Sequence, residues 1–169
     1  MATDVGTRHI GGGHVLSGLS GLQAASCRIA AGAGKRILIY DWQLNREVYD
    51  QECMLEAARQ LAIRHANTHV RILLGDTESI SLGGCRMLDL VRRLPSSMEI
   101  RLRAEQFLND LRSFMLVDDA SYVYCQIWHD PGASVAEEGN RYRVQELAAE
   151  FSRIWDQSTA DPRLRQLSI

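Results

Sequence analysis

Ser113–Trp128, SFMLVDDASYVYCQIW, is the stretch that decides the fold. Two runs of β-branched and aromatic residues flank Asp118-Asp119-Ala120-Ser121, and such runs joined by a short polar break read as a β-hairpin. Strands are therefore expected at 112–118 and 121–127. Working outward, Arg36–Tyr40 (RILIY), Val70–Leu74 (VRILL) and Glu99–Arg103 (EIRLR) are three further strands. The first two are continuously apolar, as strands covered on both faces are. Helical patterns lie at about 18–31, before the first of these strands, and at 49–65, between the first two; a third, opened by Gly83-Gly84 and stopped by Pro95, precedes the last. A last helix, about 141–157, sets Val144, Leu147, Ala148, Phe151, Ile154 and Trp155 on one stripe. Strands alternating with helices of this length imply βαβ crossovers. The expected fold class is α/β: a mixed, mostly parallel sheet with helices on both faces, the hairpin supplying antiparallel strands.

The chain has 169 residues, 46% of them apolar and 24% charged, enough for one domain with a full core. Residues 18–169 are expected to form that domain, and 1–17, with its Gly11-Gly12-Gly13 run, a mobile lead-in. No strand precedes the glycines and no Gly-Lys-Ser/Thr follows, so a phosphate loop is excluded. The net charge of −2 does not favour nucleic acid or an anionic membrane as partner. Eighteen arginines against one lysine, Lys35, read first as a compositional bias and second as selection for bidentate anion contacts. Cys27, Cys53, Cys85 and Cys125 contain no C-x-x-C pair. They are expected to be buried, reduced thiols of a cytoplasmic protein, and neither a metal site nor a cofactor is expected. No apolar run approaches the roughly 20 residues of a membrane span.

The order of elements, closed by SFMLVDD and by a final helix ending EFSRIW, resembles the phospholipase D-like superfamily over about residues 18–157. The segments GGCRMLDLVRRLPSSMEIR, SFMLVDD and FSRIWDQSTADPRLRQL are similar to an uncharacterised bacterial group within it that lacks the catalytic signature. Members of that group occur alone or joined to a Gcn5-related acetyltransferase domain. The resemblance thus implies a single phospholipase D-like domain, a homodimer, and an acetyltransferase as partner.

Active members of the superfamily carry H-x-K-x-x-x-x-D on the first hairpin strand. With that aspartate set on Asp118, Leu111 stands at the histidine position and Ser113 at the lysine position. Leucine supplies no covalent nucleophile, and a serine hydroxyl does not replace an ammonium aimed at developing negative charge. No residue is assigned a catalytic role; His129, just past the hairpin, is the nearest candidate by chain position. What the resemblance leaves is a cleft. Loops leaving the carboxyl ends of parallel strands converge on one rim, and here they carry Asp41, Trp42, Asp76 and Arg103, with Arg112 and Ser113 entering the hairpin. Arg103 and Arg112 either bind a phosphate or carboxylate or are solvated or paired with Asp76 and Glu105. The leading expectation is a catalytically degenerate domain acting as a binding or regulatory module. An enzyme on a phosphorylated or acylated small molecule, using altered residues in the same cleft, is one alternative. A nucleic-acid-binding dimer is the other.

Overall fold

The computed structural model describes residues 9–10 and 13–165. Among these described residues eight strands form one sheet: β1 (His9–Ile10), β2 (Gly13–Val15), β3 (Arg36–Asp41), β4 (His69–Leu74), β5 (Met98–Leu102), β6 (Ser113–Val117), β7 (Ser121–Cys125) and β8 (Ser134–Glu137). Their order is β1-β2-β8-β7-β6-β3-β4-β5. The helices are α1 (Gly18–Ala31), α2 (Arg46–Tyr49), α3 (Glu52–Arg64), α4 (Glu78–Leu82), α5 (Arg86–Arg93) and α6 (Arg141–Asp156).

The sheet is mixed, as expected, but its parallel part is only β3-β4-β5. From β3 outward through β6, β7, β8 and β2 every pairing is antiparallel, which corrects the mostly parallel description. The hairpin docks through β6 on β3, and β8 and the N-terminal segment then extend its free edge. In sequence Ser134–Glu137 reads as loop, because four residues beside Asp130-Pro131-Gly132 carry little pattern; pairing with β7 makes them a strand. The lead-in is likewise structured in part: His14 and Val15 pair with Ala136 and Val135. The rest of the expected mobile segment, 1–8 and 11–12, lies outside the described residues. The helix expected at 49–65 is two, α2 and α3, broken at Asp50-Gln51.

Period-two alternation sorts the strand side chains into two cores. Ile37, Ile39, Val70, Ile72, Met115 and Val117 face one side, under α1, α3 and α5. Leu38, Tyr40, Leu73, Phe114 and Leu116 face the other, under Val144, Leu147, Phe151 and Trp155 of α6. Tyr40 and Phe114 are cross-strand partners whose rings stack with centroids 4.7 Å apart.

Asp118 and Asp119 lock the hairpin to β3. Asp118 lies at φ 53°, a left-handed turn conformation that aspartate tolerates better than most residues. Its carboxylate accepts from the backbone N–H groups of Gly34 (2.9 Å), Lys35 (2.7 Å) and Arg36 (3.0 Å). Asp119 pairs with Lys35 and Arg36.

The cysteine expectation is corrected for one pair. α1 and α3 pack side by side and bring Cys27 and Cys53 to a Cα separation of 5.6 Å, where they form a disulfide. Such bonds belong to oxidising surroundings, so the reduced-thiol reasoning behind a cytoplasmic location does not hold for these two. Cys85 and Cys125 are buried free thiols. Among the described residues no helix is long and apolar enough to cross a membrane.

Candidate functional site

β6 runs antiparallel to β3, so the two ends of the hairpin motif lie at opposite ends of the sheet. Asp118 is at the amino end of β3 with its capping role. Ser113 is at the carboxyl end, beside Asp41. Asp41, Trp42, Asp76, Arg103, Arg112 and Ser113 therefore share one rim, as their positions in the sequence suggested. The same alternation that makes the two cores divides them between the two faces of the sheet.

On the α6 face, Arg103 is 2% exposed. Its Nη1 donates to the Tyr40 hydroxyl (2.6 Å) and to the carbonyls of Asp110 (2.9 Å) and Phe107 (3.3 Å); Nη2 donates to the carbonyl of Asp41 (3.2 Å). The guanidinium stacks 4.3 Å from the Tyr40 ring centroid and 5.5 Å from that of Trp42. Trp42 and Arg103 close down on Gly75, where a Cβ would collide with both the indole and Nη2; this close approach requires glycine. Tyr40 in turn donates to Asp110 Oδ2 at 2.9 Å, and burial pushes its phenol up to about 12.

Arg112 forms a fork-to-fork pair with Asp110 (2.9 and 2.6 Å) and reaches Glu150 on α6 at 2.6 Å. Hydrogen bonds donated to Asp110 and then to Glu150 push its guanidinium above the ordinary arginine range. The arginines expected to bind an external oxyanion thus already hold internal partners. Those partners are Asp110 and Glu150, with the phenol of Tyr40, rather than Asp76 and Glu105. The carboxylate two residues before Arg112 was visible in the sequence; Glu150 and Tyr40 become neighbours only through the fold.

Asp76 is a turn residue. Burial works against its charge, yet donors from Ser79 Oγ (2.7 Å), Glu78 N (2.9 Å) and Gln43 Nε2 (3.3 Å) hold its carboxyl below the usual range. The adjoining Thr77 donates to Asp161 Oδ2 at 2.6 Å, which ties the segment after α6 to the rim.

On the opposite face Asp41 is fully buried. Its Oδ2 accepts from Asn45 N at 2.7 Å, whereas Oδ1 has no hydrogen-bond partner. Burial raises its pKa; the backbone donors of Asn45 and Trp42 and the Ser113 hydroxyl oppose that only in part. Burial also raises the Tyr49 phenol and the Cys125 thiol beside it. Cys125 Sγ donates to the carbonyls of Ile127 and Asp130, both at 3.0 Å, and so is an inert thiol rather than a nucleophile. Tyr49, Ser113, Cys125, Asn45 and Trp128 enclose a void of ≈ 20 Å³. Outside it, and sharing Asn45 and Trp128, is an open groove of ≈ 350 Å³ with Arg46 and His129 on its walls. Sequence reasoning missed Tyr49, Asn45 and Cys125, since nothing local marks them as facing Asp41.

Leu111, which the resemblance sets at the nucleophile position, is 44% exposed, and its carbonyl accepts from Trp128 N at 2.8 Å. That hydrogen bond joins the two flanks of the hairpin through the backbone. Among the described residues no group of three His, Cys, Asp or Glu side chains is placed to hold a metal ion.

The fold is similar to that of phospholipase D family members of known structure. The chain is similar to NucT from Helicobacter pylori, with 10% identity, a TM-score of 0.57, and coverage of 85% of this chain and 92% of that one. It is similar to Nuc, a phospholipase D family member from Salmonella typhimurium, at 10% identity and a TM-score of 0.56, covering 82% and 90%. It also resembles TrmBL2, an archaeal chromatin protein with a novel mode of DNA binding, at 12% identity and a TM-score of 0.63; 95% of this chain covers 57% of that one. Residues 19–167 match the model of a domain of unknown function, DUF7931, and the chain belongs to that family. No curated protein matches it in sequence.

Proposed function

We propose that this chain is a catalytically degenerate phospholipase D-like domain that serves as a binding or regulatory module. One observation carries the reading: at the site end of β6 the motif positions hold Leu111 and Ser113, Arg112 is paired with Asp110 and Glu150, and Arg103 is buried with Nη1 and Nη2 on internal acceptors and only Nε unpartnered. Phosphoryl transfer needs a nucleophile and unpaired positive charge aimed at the phosphate oxygens. This rim offers no such nucleophile, and its arginines are buried (Arg103) or ion-paired (Arg112) rather than open to a phosphate. The associations implied by the family resemblance, with a second copy and with a Gcn5-related acetyltransferase, belong to the same proposal. Co-purification from the native host would identify them.

A nucleic-acid reading draws support from the likeness to the archaeal chromatin protein, and the net charge of −2 weighs against it. The test is turnover of bis-p-nitrophenyl phosphate, phosphatidylcholine and single-stranded DNA, with a gel shift on duplex DNA alongside. No turnover above a denatured control is expected. Turnover abolished by His129→Ala would overturn the proposal, and a salt-sensitive shift at submicromolar protein would transfer the reading to nucleic acid.

A further inference from the structure

The sheet ends at β5, and one stretch of that edge is left unpaired. The direction of the backbone bonds shows where. Val70 N donates to the Ser97 carbonyl and Arg103 N to the Leu74 carbonyl, both at 2.8 Å, so Ser97 and Arg103 bond toward β4. By alternation Met98, Ile100 and Leu102 turn their backbone groups to the outer edge. Leu102 is satisfied there by an antiparallel bridge to Thr159, whose C=O and N–H both pair with it (2.9 and 3.2 Å). Met98 N donates to the Leu94 carbonyl at 2.9 Å. The N–H and C=O of Ile100 have no hydrogen-bond partner among the described residues. Register carried on from Thr159 would set Asp161 opposite Ile100. Asp161 does not take that place: its carboxylate accepts from Thr77 at 2.6 Å, and Pro162, which has no N–H, opens a short 3₁₀ helix.

Beside this stretch of edge is a cavity of ≈ 480 Å³ with apolar walls from Val91, Pro95, Met98, Ile100, Ala160 and Leu164. The charged side chains on the same face are already engaged. Arg92 donates to the Leu164 carbonyl at 2.8 Å and pairs with Asp89, and Asp161 pairs with Arg163. On the other face of β5, Glu99 and Arg101 lie side by side, their side chains 43% and 27% exposed.

These observations select the occupant. A free N–H and C=O on one outward-facing residue are matched by one residue of an antiparallel strand. The side chain of that residue falls on the face of Ile100, in the apolar cavity. Its two neighbours fall on the other face, and antiparallel direction sets the earlier one opposite Arg101 and the later one opposite Glu99. Charge complementarity then asks for an acid before the aliphatic residue and a base after it.

We propose that the β5 edge at Ile100 docks an extended segment of a partner protein, antiparallel, reading acid–aliphatic–base from its amino end. The proposal stands on the sheet edge and goes beyond the reading of the rim. The full chain is titrated into a fluorescein-labelled heptapeptide, Ser-Thr-Glu-Val-Arg-Thr-Ser, and anisotropy is read. A saturable rise is expected. Methylating the valine amide nitrogen removes the donor to Ile100 and should weaken binding about tenfold. Reversing the core to Arg-Val-Glu should weaken it about fivefold. Glu99→Arg should lose the first peptide by a similar factor and bind one with Glu-Val-Glu at its centre. No saturable binding, or equal binding of the methylated peptide, overturns the proposal. A dimer in sedimentation equilibrium whose dissociation tracks peptide occupancy would assign the edge to a second copy. Binding gained only on removing residues 166–169 would assign it to this chain's own end. Either result overturns the proposal as well.

Discussion

Replacing Asp118 tests why SFMLVDD ends as it does. The carboxylate holds three consecutive backbone N–H groups at the amino end of β3, those of Gly34, Lys35 and Arg36. Lys35 is exposed, so water replaces its bond at little cost; Gly34 and Arg36 are half-buried. Stranding two such donors costs about 1.5 kcal/mol each, or about 3 kcal/mol together. Asp118→Ala adds about 1 kcal/mol because alanine is strained in the left-handed conformation at φ 53°. Asp118→Gly loses the same hydrogen bonds without that strain. With a urea m-value of about 2 kcal/mol/M, the alanine variant should lower the unfolding midpoint by about 2 M and the glycine variant by about 1.5 M. Far-UV circular dichroism in urea measures both. A shift below about 0.5 M for alanine at unchanged m would refute the capping argument. Equal shifts for the two variants would refute only the backbone part.

Two further outcomes are expected. The Cys27–Cys53 bond closes a loop of sequence separation 26, so reduction should destabilise the fold by about 3–4 kcal/mol. Melting with and without a phosphine reductant should show a fall of about 10 °C. Cys27→Ser should start from the lower Tm and be insensitive to reductant, and an unmoved Tm in the unmodified chain would contradict this. Asp161 is held to about 2, first by its hydrogen bonds with Arg163 against the opposing effect of burial, with Thr77 adding to the hold. A depressed folded-state pKa contributes stability above the unfolded value, about pH 4, that is lost as pH falls toward about 2. Asp161→Asn should therefore lower Tm at pH 7 and converge with the unmodified chain near pH 2; a constant difference across that range would count against it.

The tertiary structure decided things that no local pattern encodes. Arg112 meets Glu150 across 38 residues because α6 lies over β6, and Tyr40 joins them because β3 pairs with β6. A carboxylate near an arginine in sequence is readable; a carboxylate delivered by another helix is not. β2 and β8 are short and weakly patterned, and a strand of that kind exists through backbone pairing rather than through its side chains. Cysteine spacing could not anticipate a bond between two packed helices. By itself the sequence determined the buried strands, the α6 stripe, the hairpin and the absence of a His-x-Lys pair. Each of these is written in residue type and period, which act over a few neighbours. It also brought Asp41, Arg103, Arg112 and Ser113 to one rim, because strand ends converge whatever the side chains are. Which face each residue occupies, and with what it pairs, depended on the register of β6 against β3. A shift of one residue would exchange the two faces, and long-range packing alone sets that register.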